Sequence, residues 1–299
     1  MIATNLSDLL GREVTRKDLY LKKVIIKDGV ENICPNCLWR IKRMESIVLP
    51  NSVVKIETSS FRNCQNLKAI EIPESVEEIG PYAFSGCFSL ESIVVDKNNP
   101  AFDSRDNCNA IIRKKDNVLA LGCKNTIIPN GVKRIGAGAF KSCTDMESLY
   151  IPESLTQLYN YTFPFHGELM SIVVDEKNRF YDSRENCNAI IRKSSNTLIY
   201  GCNTSTIPNS IVSIDFEAFK DCSKIKSIVI PEGLVSIDEH AFDGCSNLSS
   251  ITLPNSLTYI GKGAFHGCKR SKVFNIPKGT KEKFASLLPQ YERNLKEEV

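Results

Sequence analysis

An isoleucine or leucine followed by proline punctuates this chain at Leu49-Pro50, Ile72-Pro73, Ile128-Pro129, Ile151-Pro152, Ile207-Pro208, Ile230-Pro231, Leu253-Pro254 and Ile276-Pro277. The prolines lie 23, 56, 23, 56, 23, 23 and 23 residues apart, and 56 is 23 plus 33, so each long gap holds one ordinary unit and one longer unit without loss of register. A fixed period of this size with fixed apolar positions restricts the chain to a solenoid, because one such unit cannot bury its apolar face alone and must stack on its neighbours. In a solenoid, function is a question about surfaces.

The unit is clearest in residues 72–87, IPESVEEIGPYAFSGC. Leu67, Ile70 and Ile72 alternate as a strand does, and the proline that follows has no N–H for a continuing ladder. Val76 and Ile79 predict a second short extended piece. Ala83, Phe84, Cys87 and Leu90 have the spacing of a helical turn pointing back into the core. Gly80, Gly136 and Gly261 mark the corner between these pieces, where a tight bend or a positive φ is expected. Ten rungs are expected, with residues 21–279 as the repeat body. The first rung is degenerate and carries Lys27 where later rungs carry proline.

The two 33-residue rungs are near duplicates, with corresponding residues 79 apart. In each, two apolar runs flank a polar turn at residues 114–117 or 193–196, which predicts β-hairpins within 96–127 and 175–206. They are expected to project from one edge or to replace the convex turn with a small sheet. Residues 1–20, with Leu6, Leu9 and Leu10, predict an N-terminal cap. Residues 280–299 predict a C-terminal helix that seals the other end, followed by a frayed charged tail.

A formal charge of +3 with interspersed signs gives no electrostatic footprint for nucleic acid. No run of 18 apolar residues marks a membrane span, and the first residues lack the basic and apolar segments of a signal peptide.

The unit IPxSVxxIGxxAFxxCxxLxxI, with its interposed NAII…LxxGC…IP hairpin, closely resembles the BspA-type leucine-rich repeat over about residues 21–280. The resemblance implies a right-handed leucine-rich-repeat solenoid, mainly β with short helical or 3-10 turns and a parallel sheet on its concave side. It also implies a bacterial surface or secreted protein that binds host proteins or other cells, adhesins among them. A cytoplasmic location is the alternative, as no leader is seen.

Candidate chemistry is sparse. Cys64, Cys87, Cys143, Cys222, Cys245 and Cys268 share one core slot, which packing alone explains. Cys34 and Cys37 form a CxxC without a second pair or a thioredoxin-like context, and read as structural. Cys108 with Cys123, and Cys187 with Cys202, face each other if the hairpins turn at their polar centres, as thiols in a reducing compartment or disulfides after export. His166, His240 and His266 occupy different rung positions and predict no site. The pairs Asp103 and Asp106, and Asp182 and Glu185, read as turn formers, each with an arginine between them, in preference to a Ca²⁺ site. No catalytic residue, metal site or cofactor is expected, and the chain is read as a non-enzyme.

What remains is the outward residue of each strand. Val48, Glu71, Val94, Ile127, Tyr150, Val173, Thr206 and Val229 are expected in one solvent-facing row beside a second row of mostly serine and threonine. Strand propensity accounts for β-branched residues there, but a contiguous exposed apolar row is also what a protein-binding surface presents. The expected function is protein or peptide binding on this concave face by a monomer, with a glycan-binding surface using Tyr150 as the alternative.

Overall fold

The computed structural model describes residues 6–11, 20–159, 162–164 and 167–298. Packing of the backbone gathers the chain into two compact units, one comprising Met1–Thr144 with Gln157–Pro164, the other Asp145–Thr156 with Phe165–Val299. Each is a β-solenoid of stacked rungs around its own cluster of buried aliphatic, phenylalanine and cysteine side chains.

In the first unit, Lys23–Ile25, Ser46–Val48, Ala69–Ile72 and Ser92–Val95 form a four-stranded parallel sheet. Partners such as Ala69 and Ser92 lie one 23-residue period apart. Burial alternates along each strand, so Ile70 and Ile72 face the core while Glu71 faces out. The strand stops at the proline, whose carbonyl accepts the Val76 N–H. The second piece of each rung makes a three-stranded parallel sheet from Asn32–Ile33, Lys55–Ile56 and Glu78–Ile79. On the third side the AF turns form their own ladder, in which the N–H groups of Ser59, Phe61 and Asn63 donate to the carbonyls of Pro81, Ala83 and Ser85. Phe61 and Phe84 stack there with ring centroids 4.9 Å apart, and Phe219, Phe242 and Phe265 stack likewise in the second unit. Each buried ring contributes roughly 2–3 kcal/mol through area removed from water.

The 33-residue rungs replace a turn and do not project. Ala110–Arg113 and Val118–Gly122 form the first hairpin, flanked by Phe102–Asp103, and its second strand pairs in parallel with Arg134–Ile135 of the next rung. Ile190–Arg192 and Thr197–Tyr200 repeat the arrangement, joining a six-stranded sheet that runs on to Tyr259–Ile260. Asn99 anchors the first of these rungs from full burial. Its amide nitrogen donates to the carbonyls of Pro73 and Val76 (both 2.8 Å), and its oxygen accepts the N–H groups of Ala101 and Phe102. Asn178 does the same with Pro152, Leu155, Phe180 and Tyr181.

Several expectations change. Gly80, Gly136 and Gly261 do not adopt positive φ; a Cβ on Gly80 would lie 2.6 Å from the Thr58 backbone nitrogen, so the corner needs close chain approach instead. The C-terminal tail is not frayed. After the helix Lys281–Leu287, which buries Phe284, Leu295–Glu297 adds a parallel strand to Val273–Ile276, and the Tyr291 hydroxyl donates to the Phe265 carbonyl. At the other end Leu9, in the short helix Leu6–Leu10, is fully buried and its carbonyl accepts the Lys27 N–H.

Candidate functional site

The positions expected to face outward are exposed, those within strands as alternation requires. Val48, Val94, Ile127, Tyr150, Val173 and Val229 are 45%, 47%, 66%, 39%, 50% and 66% exposed, and Glu71 and Thr206 are also exposed. They do not form one unbroken row. Among the described residues, Ser92–Val95 ends its sheet, Ser148–Ile151 pairs with Ser171–Val174 alone, and Ser227–Val229 begins a further sheet with Ser250–Thr252 and Val273–Ile276.

The interruptions have a cause. Where the next strand would pair with Ser92–Val95, the long rung brings up Asn109 and Ser104, whose side-chain oxygens accept the N–H groups of Ile93 and Val95. Ile127 lies outside any strand and donates its N–H to Cys108; Thr206 donates to Cys187 in the duplicate.

Within the first unit the structure brings Val48, Glu71 and Val94 together around a shallow depression of about 330 Å³, with Asn51, Pro73 and Asp96 completing its wall. Its chemistry is two valine faces beside two exposed carboxylates. Tyr150 and Val173 are direct partners across paired strands in the second unit. The Tyr150 hydroxyl donates to Asp175 (2.6 Å), and that hydrogen bond, with some burial, pushes the phenol up to about 12 while holding the Asp175 carboxyl below its usual range.

The other candidates are taken up by packing and by local pairs. The repeat cysteines are free and buried, and the thiols of Cys64, Cys87, Cys245 and Cys268 donate to carbonyls 26 residues earlier, at 3.0 to 3.3 Å. Burial pushes Cys64 up to about 12 and Cys108 up to about 11, and raises Cys87 and Cys222 as well. Cys108, Cys123, Cys187 and Cys202 are free thiols, with Cys123 and Cys202 turned to the carbonyls of Asn109 and Asn188.

Cys34 and Cys37 differ: the CxxC turn closes as a disulfide with Cα atoms 5.3 Å apart. Asp103 is taken by Arg105 through both carboxylate oxygens, as Asp182 is by Arg184, which leaves neither as an open ligand. For Asp103, burial raises the carboxyl, but the Arg105 hydrogen bonds and charge outweigh it and the net shift is downward. His240 and His266 do meet, each within hydrogen-bond distance of Asp243 (3.1 and 2.8 Å), because one period plus three residues brings them to one turn ladder. His166 lies outside the described residues. Among the described residues no group of three or more His, Cys, Asp or Glu is placed to hold a metal ion, and no helix is long and apolar enough to cross a membrane.

Sequence reasoning missed the buried asparagines. Their signal was available in Asp96-x-x-Asn99 and Asp175-x-x-Asn178, repeated at the 79-residue offset.

The family model described as the BspA type leucine rich repeat region matches this chain in six copies, over residues 15–110, 120–195 and 190–288. A leucine rich cell surface protein from Faecalibacterium prausnitzii is 25% identical, with a TM-score of 0.48 over 89% of this chain and 62% of its own. A leucine-rich repeat protein from Eubacterium ventriosum is 18% identical, with a TM-score of 0.53 over 86% of this chain and 66% of its own. One from Bacteroides ovatus is 24% identical, with a TM-score of 0.43 over 93% of this chain and 84% of its own. The chain thus spans less than two thirds of the length of the first two. No curated protein matches it.

Proposed function

Since the chain belongs to the BspA-type leucine-rich repeat family, we propose that it is a non-catalytic binding module, displayed at the cell surface or secreted, that holds a protein or peptide partner on its strand faces. Residues 21–279 act as the repeat body between two caps. One observation carries the reading: exposed Val48 and Val94 flank a depression that also presents Glu71 and Asp96. Apolar side chains that solvent reaches on a rigid sheet gain by being covered, and paired carboxylates beside them select a segment with a Lys or Arg next to an aliphatic residue.

A displayed peptide library selected on the intact protein tests this, with Val48→Glu/Val94→Glu as the counter-screen. Enriched peptides should combine basic and apolar residues and lose at least about tenfold in affinity, or about 1.4 kcal/mol, on the double variant. Binding unchanged by the two substitutions in a folded protein removes the concave face as the site. A glycan reading has one observation behind it, the half-exposed Tyr150 ring held in place by Asp175. Glycan-array binding abolished by Tyr150→Ala would favour it.

A further inference from the structure

The first 33-residue rung has no AF turn, and its absence leaves a cavity of about 400 Å³ on the turn side of the first unit. One wall is residues 79–85, the second is residues 136–138 with Ser142, and the hairpin supplies Arg113, Val118, Ala120 and Leu121. In ordinary rungs this space is filled by the next turn, which accepts the N–H groups at three alternate positions, as at Ser59, Phe61 and Asn63. Here the Gly86 N–H donates to the Ser142 hydroxyl (2.8 Å), whereas the N–H groups of Tyr82 and Phe84 have no partner among the described residues. The facing carbonyl of Ala137 likewise accepts from none of the described residues, while that of Ala139 takes the Gly122 N–H. Phe84 is 2% exposed, and a buried amide without a partner is rare. Two donors two residues apart, faced by an acceptor, are the edge pattern that an added main-chain segment satisfies.

The duplicate supplies a contrast. Seventy-nine residues on, Ala120, Gly136, Ala137, Gly138 and Ser142 become Ile199, Asp215, Phe216, Glu217 and Asp221. Small neutral residues are replaced by bulk and by three carboxylates, one of which, Asp215, lies 3.6 Å from Arg192, the counterpart of Arg113. In the first copy Gly136 offers Arg113 no such partner, and Arg113 turns to Asp116 in its own hairpin. Lys141, over the Tyr82 ring, adds a second cation to the rim.

We propose that this slot is a second binding site, which takes a short extended segment of a partner protein with an apolar side chain and an adjacent carboxylate. The segment's carbonyls accept from Tyr82 and Phe84, its N–H donates to Ala137, its apolar side chain enters against Val118 and Ala120, and its carboxylate pairs with Arg113. This site is separate from the strand face and takes a partner of opposite charge.

The test uses the full chain, ¹⁵N-labelled, and the blocked heptapeptide Asp-Phe-Glu-Ala-Phe-Lys-Asp, the sequence of residues 215–221. Saturable shifts of the Tyr82 and Phe84 amides are expected, with those of Phe61 and Phe242 unmoved. Arg113→Gln should weaken binding about tenfold, the loss of one charge-assisted contact. Ala137→Phe, and separately Gly138→Glu, should close the slot and abolish the shifts, with the remaining amides reporting an intact fold. No saturable shift at Tyr82 and Phe84 at millimolar peptide overturns the proposal. So do equal shifts in both slot-filling variants, or a response confined to Val48 and Val94.

Discussion

Asn99 and Asn178 each meet all four hydrogen-bonding needs of a primary amide while fully buried, and each ties the start of a long rung to the rung before it. Asn99→Leu keeps the branched outline, with bulkier methyls in place of the amide, but removes the partner of two carbonyls and two N–H groups in the core. The expected cost is about 3 kcal/mol in denaturant unfolding, with Asn178→Leu similar. An effect below about 0.5 kcal/mol would mean that other groups take over these bonds.

At Tyr150 the prediction concerns pH. The phenol's folded value, raised to about 12 by the Asp175 carboxylate, makes its contribution present below the unfolded value and lost as pH rises through about 12. Asp175, held low by the same bond, contributes above its unfolded value and loses that contribution as pH falls through its folded one. Absorbance titration near 295 nm should show one tyrosine ionising at about 12, and Tyr150→Phe should remove that step. Outward placement of Tyr150 was legible from strand alternation. Its bond to Asp175 was not, because it depends on how a side chain in one strand leans over the end of the next.

Among the elements, the ordinary rungs were the most legible, since alternation, proline and the AF turn each mark one side of the coil. The hairpins were legible in extent because the sequence contains them twice. Where they go was not. The interruption of the strand faces follows from Asn109 and Ser104 capping a strand edge, a choice that no periodicity reports.

The C-terminal strand was hidden for a related reason. Leu295–Glu297 carries charges on both sides and is held by backbone bonds to Val273–Ile276, so composition reads as solvated tail. Gly122 and Gly201 show the tightest element contact. A Cβ on Gly122 would meet the Phe140 ring at 2.5 Å, and one on Gly201 would meet Phe219 closer still. Gly122→Ala and Gly201→Ala should each destabilise by about 1–3 kcal/mol and perturb the aromatic near-ultraviolet circular dichroism, as overpacking does. Alanine without loss of stability at either position would mean that the phenylalanine ladder is loose there.

For the whole molecule, the repeat that is so plain in the sequence predicts a stack of rungs around one core, and each of the two units into which the packed chain gathers is a stack of such rungs around a buried cluster. The period reports how neighbouring rungs stack. It does not report where packing is densest, which depends on the side chains that fill each rung. The free cysteines divide evenly, with Cys64, Cys87, Cys108, Cys123 and Cys143 in the first unit and Cys187, Cys202, Cys222, Cys245 and Cys268 in the second.

All ten are buried, and a thiol raised to about 12, as Cys64 is, holds only about one thiolate in ten thousand molecules at pH 8. Burial is common to all ten, so alkylation of the native protein should be negligible over minutes even at Cys268, whose thiol the Cys245 hydrogen bond holds below its usual range, and each thiol reports the opening of its own rung. Because each rung is stabilised by its neighbours, cysteines of one unit should become reactive together as denaturant rises. Pulsed labelling with mass spectrometry should show species carrying zero, five and ten labels, with Cys34 and Cys37 adding two more only after reduction. A single step from zero to ten would show that the two units unfold as one, and a gradual series would show that rungs open singly.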